Sequence, residues 1–259
     1  FMIESIFVDP KKLSGIEDAG ANHLIVVQDG LNQATWGKLR KLNIDLGISV
    51  NAFGSDGCPA NPEAQEKLFS KIKSALEFEP KEVWIDHFRF DGHWEATSGD
   101  KIPGIHHNCE FCQNKNRILV LNETAHKVMD LVSGSTQVGY FAVPFKSWAL
   151  PTELGQAHFM LGRIFDLSSP MLYQQMIKKP TSYISEYVQW LSDVTKRPVL
   201  PIIQVKSMPD DLEDTITEDI LTSEFTEAIK NPSLGVCFFW WPHVLEKNKA
   251  EIIKKLFSS

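Results

Sequence analysis

The stretch VWIDHFRFDGHWE, residues 83–95, interleaves apolar and aromatic residues with ionisable side chains. A charged group is costly to bury unless a partner or a ligand compensates it. Two carboxyl groups on either side of a glycosidic bond can hydrolyse it, one as nucleophile or charge stabiliser and one as proton donor. Asp86 and Glu95 are the candidates for this pair, because apolar neighbours flank Asp86 and Trp94 would remove water from Glu95. A structural ion pair between Asp86 and Arg89 is the alternative.

Polar and aromatic residues near the ends of the predicted strands are candidates for holding a substrate. Sugar hydroxyls need carboxylate, amide or guanidinium partners, and a sugar ring needs a flat apolar face on which to stack. The substrate-binding candidates are Arg89, Asp91, Tyr173, Gln204 and Trp241. Each of them has an alternative interpretation as a solvated side chain or as packing within the fold.

A second motif, HHNCEFC at residues 106–112, has the residue types of a metal site. Cys109 and Cys112 have the C-x₂-C spacing of half a zinc site, and His106 or His107 would add a ligand from the same turn. The sequence contains no second C-x₂-C pair. A structural zinc, a local disulfide and two free thiols therefore remain as alternatives.

Short apolar segments rich in β-branched and aromatic residues recur along the chain and predict eight strands. These are Ser5–Val8, His23–Gln28, Leu46–Asn51, Val83–Phe88, Gln137–Phe145, Phe165–Tyr173, Val199–Gln204 and Val236–Trp240. Several of them are continuous apolar runs, which is typical of strands covered on both faces in a parallel sheet. Amphipathic helices are predicted between them, as in Pro62–Leu76, where Leu68, Ile72 and Leu76 form one apolar stripe.

Eight strand–helix units in a chain of this length predict an α/β fold, a (β/α)₈ TIM barrel that forms a single domain over residues 1–259. The longest loop is expected after strand four, at about residues 91–114. In such barrels the active site is built from the C-terminal ends of the strands and the loops that follow them. The ionisable residues that follow Ile85 are therefore expected at the mouth of the barrel.

Composition limits the classes of partner. The 259 residues carry a net charge of −7 and contain no run of lysine or arginine longer than two, so nucleic acid is not expected as a partner. No apolar run reaches the roughly 18 to 20 residues that a membrane span requires.

With the strands placed, Trp84–Phe90 resembles strand four of uncharacterised glycoside-hydrolase-like TIM-barrel proteins, in which an apolar run is followed by Asp, an aromatic residue, an apolar residue and Arg. Leu161–Met176 resembles strand six of the same group, where a Ser-Pro-Met-aromatic stretch places a tyrosine at the rim. The stretches RPVLPIIQV and GVCFFWW fit its last two strands. This resemblance implies a TIM barrel with carbohydrate chemistry and assigns the family's strand-four Asp and Arg to Asp86 and Arg89. Gln204 departs from the many glycosidase barrels that have a carboxylate on strand seven.

Three functions follow, in order of preference. The first is a glycoside hydrolase that acts on a carbohydrate at the barrel mouth and requires no cofactor, with Asp86 as nucleophile or stabilising carboxylate and Glu95 as acid. In this enzyme Arg89, Tyr173 and Gln204 would orient the substrate, and Trp241 would be a stacking platform.

The second function is that of a non-catalytic barrel that binds a glycan or a peptide. The third is a metal-dependent hydrolase that uses His87, His93, His106 or His107; it comes last because strand one lacks the His-x-His pair of barrel metallohydrolases.

Overall fold

Eight parallel strands alternate with helices in the computed structural model, which describes residues 2–54, 57–91, 109–132, 134–146, 150–208 and 213–259. The strands are β1 (Ile3–Val8), β2 (His23–Val27), β3 (Asp45–Asn51), β4 (Glu82–Asp86), β5 (Gln137–Ala142), β6 (Leu167–Pro170), β7 (Ile202–Gln204) and β8 (Gly235–Phe239). Their order in the sheet is β6-β5-β4-β3-β2-β1-β8-β7. Single bridges from Ser168 to Val199 and from Met171 to Ile202 join the two outer strands. The predicted (β/α)₈ TIM barrel is confirmed.

Helices cover the outside of this barrel. They are α1 (Gln33–Arg40), α2 (Pro62–Leu76), α3 (Arg117–Leu131), α4 (His158–Ile164), α5 (Gln174–Ile177), α6 (Tyr183–Thr195), α7 (Glu218–Ala228), α8 (Trp241–Glu246) and α9 (Ala250–Phe257), with a 3-10 turn at Ile16–Asp18 and a π turn at Leu150–Leu154. Asn61 and Asn116 cap α2 and α3 by accepting hydrogen bonds from backbone N–H groups of the first turn. Within the described residues every helix is too short or too polar to span a bilayer.

Several strands are shorter than the sequence predicts. The predicted fourth strand, Val83–Phe88, is wrong at its end, because β4 stops at Asp86 and His87 has a left-handed backbone with φ of 50°. Likewise, only Leu167–Pro170 of the predicted sixth strand is paired as a strand. Apolar residues continue past both strand ends and are buried in loops, so an apolar run alone overestimates strand length.

Successive side chains along each strand point alternately into the barrel and outwards to the helices, which gives an inner and an outer layer of packing. Ile6, Val8 and Ile85 pack outwards against the helices, whereas Phe7 and Trp84 belong to a second cluster in the barrel interior. A glycine in β5 makes room for the indole of Trp84, since a Cβ at Gly139 would lie 2.4 Å from that ring.

The N-terminal end of the barrel is closed by a buried polar network. The Ser5 hydroxyl lies 2.7 Å from Nδ1 of His23, whose Nε2 lies 2.9 Å from Oε2 of Glu82. All three side chains are buried, so each polar group depends on the others for its hydrogen bonds. In TIM barrels the active site lies at the opposite, C-terminal end of the strands.

Candidate active site at the barrel mouth

Asp86 is the last residue of β4 and lies at the C-terminal end of the barrel. Its Oδ1 accepts a hydrogen bond of 2.7 Å from the backbone N–H of His87 and lies 3.2 Å from Nδ1 of the His87 ring. The carboxylate side chain is 28% exposed. Asp86 therefore combines a fixed position with an open face, as a catalytic or ligand-binding carboxylate requires.

Arg89 is half-buried three residues after Asp86. It forms no ion pair within 4.0 Å with a described carboxylate, so the ion pair considered as a structural alternative for Asp86 is not formed. Burial lowers the pKa of Arg89, and the nearby charges of Asp86 and Asp91 oppose that shift. Arg89 thus adds positive potential beside Asp86 and keeps its guanidinium donors for other partners.

A glutamine that the sequence analysis did not single out holds the segment after β4 in place. Gln156 is buried, and its Nε2 donates to the carbonyl groups of Phe88 and Phe141, both at 3.1 Å. Its Oε1 accepts from the backbone N–H of Val143 at 3.0 Å. One amide thus joins the segment that contains Arg89 to the end of β5.

Aromatic rings form a floor beneath the mouth. Phe7 is in contact with three of them, at centroid distances of 5.7 Å to Phe141, 5.4 Å to Phe239 and 5.9 Å to Trp240. Trp84 stacks on Phe141 at 5.7 Å, and Tyr173 packs on Phe239 at 5.3 Å. We call this set the aromatic floor: Phe7, Trp84, Phe141, Tyr173, Phe239 and Trp240. It gives the interior of the barrel an apolar aromatic lining, in which most neighbouring rings are tilted or edge-on to each other.

Tyr173 is the residue of the aromatic floor whose pKa responds to the charge of Asp86. It is buried, and burial raises its pKa well above the usual tyrosine value, with a further rise from the negative charge of Asp86. The phenol is therefore protonated at neutral pH. A protonated hydroxyl near a carboxylate can donate a hydrogen bond to that carboxylate or to a ligand between them.

Further polar groups on the later strands have unused hydrogen-bonding capacity. Gln204 ends β7 and is fully buried; its Nε2 donates to the carbonyl of Lys206, while its Oε1 has no partner among the described residues. The same is true of the Ser169 hydroxyl in β6 and of both amide atoms of Gln174 at the start of α5. Buried polar atoms in this condition are expected where a ligand or ordered water completes the hydrogen bonding.

Two adjacent tryptophans have different environments. Trp241 is fully buried against the outer layer, and its Nε1 donates to the carbonyl of Ser14 at 3.1 Å. No face of that ring is therefore open to a sugar. Trp240 is half-buried, packs on Phe239 at 5.9 Å and lines a cleft of about 680 Å³.

Some predicted site residues cannot be placed. Glu95, His93, His106 and His107 lie outside the described residues. Asp91 is described and exposed. Another carboxylate beside a strand end is Asp9, directly after β1, whose Oδ1 accepts from the backbone N–H of Lys11 at 2.8 Å. Among the described residues, Asp86 is the one carboxylate that lies on a strand at its C-terminal end, where the barrel opens.

A larger cleft lies beside the mouth rather than on Asp86. It measures about 780 Å³ and is lined by Gln28 and Asp29 after β2, by Asn51 at the end of β3 and by Lys71 of α2. The Asp29 side chain is 92% exposed, so nothing there desolvates its carboxylate. The less exposed carboxylate of Asp86 therefore makes the barrel mouth the better candidate for an active site. Asn51 lies at the border of the two regions, because it lines the cleft and is also the register partner of Asp86.

Comparison with known proteins finds solved structures that share this fold. No protein-family model matches the sequence, and no curated protein matches it either. The glycoside hydrolase domain of PgaB (BpsB) from Bordetella bronchiseptica has 11% identity and a TM-score of 0.69, with 99% of each chain covered. A GH18 chitinase from Cycas revoluta has 8% identity and a TM-score of 0.63, over 98% of this chain and 99% of that one. The GH113 beta-mannanase AaManA from Alicyclobacillus acidocaldarius has 10% identity and a TM-score of 0.59, over 99% and 97%.

At identities this low the likeness concerns the fold. It agrees with the resemblance found in the sequence, and the chain has the TIM-barrel fold of glycoside hydrolase domains.

Proposed function

We propose that the protein is a glycoside hydrolase that cleaves a carbohydrate at the C-terminal mouth of the barrel. The observation that carries the proposal is the position of Asp86, a partly exposed carboxylate at the C-terminal end of β4, where the barrel interior is lined by the aromatic floor. Glycoside hydrolysis needs a carboxylate that faces developing positive charge on the sugar ring. Flat apolar rings and free hydrogen-bonding groups then supply the contacts that hold a sugar.

Each residue of the mouth has a role that follows from its environment. Asp86 is the nucleophile or the carboxylate that stabilises the oxocarbenium-like transition state. Tyr173, which stays protonated, donates a hydrogen bond towards Asp86 or a substrate hydroxyl. Arg89 and the free amide oxygen of Gln204 orient further hydroxyl groups. Glu95 is the proposed acid on sequence grounds, and Asp91 is proposed to contact the substrate.

Stacking of a sugar ring is assigned to Trp240 in place of Trp241. Trp240 keeps part of its ring accessible beside the aromatic floor, whereas Trp241 is enclosed by protein on both faces. The sequence alone could not separate two adjacent tryptophans, because only the end of β8 at Phe239 decides which of them faces the mouth.

The structural neighbours suggest where to look for a substrate. They include a chitinase solved in complex with (GlcNAc)₄ and a beta-mannanase. Chitin and mannan oligosaccharides are therefore the first two substrate classes to test. The assay is mass spectrometry of the products after incubation with purified protein, and release of shorter oligosaccharides that depends on Asp86 supports the proposal.

A binding module is the second candidate, and the amide at Gln204 favours it. The end of β7 offers neither a nucleophile nor a proton donor, since an amide can serve only as a hydrogen-bonding group. A module of this kind would bind an oligosaccharide measurably in calorimetry and leave it uncleaved. Cleavage by wild-type protein, lost on substitution of Asp86, would exclude a purely binding role.

A further inference from the structure

Three cysteines from two separate loops come together at the rim of the barrel. Cys58 lies between β3 and α2, and Cys109 and Cys112 lie just before α3. Their sulfur atoms all lie within 4.8 Å of one another. Cys58 and Cys112 are buried, and Cys109 is half-buried. Cys58, about fifty positions earlier in the sequence, thus adds a third sulfur to the C-x₂-C motif. The spacing of cysteines in the sequence does not reveal this contact.

The spacing of these sulfur atoms fits a tetrahedral metal ion. Thiolates bound to one zinc ion at the usual Zn–S distance of about 2.3 Å lie about 3.8 Å apart. The sulfur atoms of Cys109 and Cys112 are 3.7 Å apart. Backbone N–H groups also point at two sulfurs, from Ala60 to Cys58 at 3.4 Å and from Cys109 to Cys112 at 3.2 Å. Such hydrogen bonds stabilise sulfur in the thiolate form that a metal requires.

Both loops are anchored where they carry the cysteines. Cys58 lies three residues before Asn61, the N-cap of α2, and the backbone N–H of Asn61 donates to the Cys58 carbonyl at 2.9 Å. Cys112 lies four residues before Asn116, the N-cap of α3. The helices α2 and α3 pack against each other. The three sulfurs are therefore held together by the fold itself, which limits the conformational entropy lost when an ion binds.

From this geometry we propose that Cys58, Cys109 and Cys112 bind a structural zinc ion that ties the loop after β3 to the loop after β4. The described residues supply three thiolates of a four-coordinate site, and zinc is the ion for which such a soft, tetrahedral set is usual. The ion would fix the far end of the segment that begins at Asp86. Its role is mechanical, so the proposal does not depend on the hydrolytic activity proposed for the mouth.

A disulfide accounts for the cluster less well. It would join two sulfurs at about 2.05 Å and leave the third beside them without a partner. In the structure the sulfur atoms of Cys109 and Cys112 are 3.7 Å apart, well beyond that bond length. Cys58 is buried, which disfavours a charged sulfur there in the absence of a compensating charge. A bound divalent cation would offset the cost of charged sulfur in this environment.

The test is metal analysis of protein produced with zinc in the medium and desalted. Wild-type protein should contain about one zinc ion per chain, and Cys58→Ser and Cys112→Ser should each lose most of it. Cys237→Ser is the matched control. Cys237 is buried among the apolar residues of the barrel interior, so this variant should keep its full zinc content. Circular dichroism establishes that each variant is folded.

A second measurement keeps the proposal testable if the variants unfold. Removal of zinc from wild-type protein by a chelator should expose three additional thiols to a thiol reagent and lower the melting temperature, and added zinc should reverse both changes. Several results would overturn the proposal: wild-type protein that binds no zinc, a Cys58→Ser variant that retains it, iron in place of zinc, or a Cys109–Cys112 disulfide found by mass spectrometry without reduction.

Discussion

Asn51 and Asp86 are register partners at the C-terminal ends of β3 and β4, and the backbone N–H of Ala52 donates to the Asp86 carbonyl at 2.8 Å. The pair places the candidate catalytic carboxylate beside the loop that contains Cys58. The proposed zinc site and the proposed catalytic site therefore lie on the same end of the barrel. They remain separable by experiment, because one is measured by metal content and the other by turnover.

Replacing Trp240 should weaken substrate binding. If a sugar stacks on this ring, Trp240→Ala should raise KM about fivefold, in line with the roughly 1 kcal/mol that one aromatic contact contributes, and change kcat less. Trp241→Phe is the paired variant. It should lower the free energy of unfolding, because the hydrogen bond to Ser14 is lost, and leave KM close to the wild-type value. The opposite pattern would return the stacking role to Trp241.

Removing the Gln156 amide should destabilise the segment after β4. Gln156→Ala leaves the buried carbonyl groups of Phe88 and Phe141 and the N–H of Val143 without their partner. We expect a loss of about 2–4 kcal/mol in the free energy of unfolding, measured by urea denaturation. Gln113→Ala, at an exposed position, is the control and should change stability little. Equal stability of the two variants would show that the amide network is unimportant.

His158 should make stability depend on pH. It is buried, with Nδ1 2.9 Å from the Tyr140 hydroxyl, and burial lowers its pKa from 6.5 to about 4. Between these values the unfolded chain binds a proton that the folded protein excludes, so the free energy of unfolding falls as the pH falls from 6.5 to 4. The loss should reach about 3 kcal/mol.

Urea denaturation of His158→Gln and of wild-type protein across this pH range checks that prediction. The variant is less stable at neutral pH but should lack this part of the acid-dependent decline. His126→Gln, at an exposed position, should keep the wild-type slope. A His158→Gln protein with an unchanged slope would contradict the assignment.

Much of the barrel was predictable from the sequence, because strands buried on both faces appear as apolar runs and the helices between them have a clear stripe. The ends of strands were not, since Phe88 is apolar and buried although β4 has already ended at Asp86. The left-handed residue that ends the strand is His87, and only a few per cent of non-glycine residues adopt that conformation, so its position could not be read from the sequence.

The candidate site was predictable only in part. The charge of Asp86 acts on both Arg89 and Tyr173, and the grouping of these residues into one site remains a prediction. The contributions of Gln156 and Cys58 depend on contacts between distant segments, which local pattern does not encode. The choice between Trp240 and Trp241 depends on one residue of register, and such a shift reverses the face to which a side chain points.

The most direct test of the central claim is the turnover of chitin and mannan oligosaccharides by wild-type, Asp86→Asn and Asp29→Asn proteins, with melting temperatures measured in parallel. Asp29 lines the larger cleft and is the matched control for a carboxylate outside the mouth. The account predicts that Asp86→Asn lowers kcat/KM by roughly a thousandfold or more with little change in melting temperature, and that Asp29→Asn retains activity. Full activity of Asp86→Asn on every substrate that the wild-type protein cleaves would contradict it.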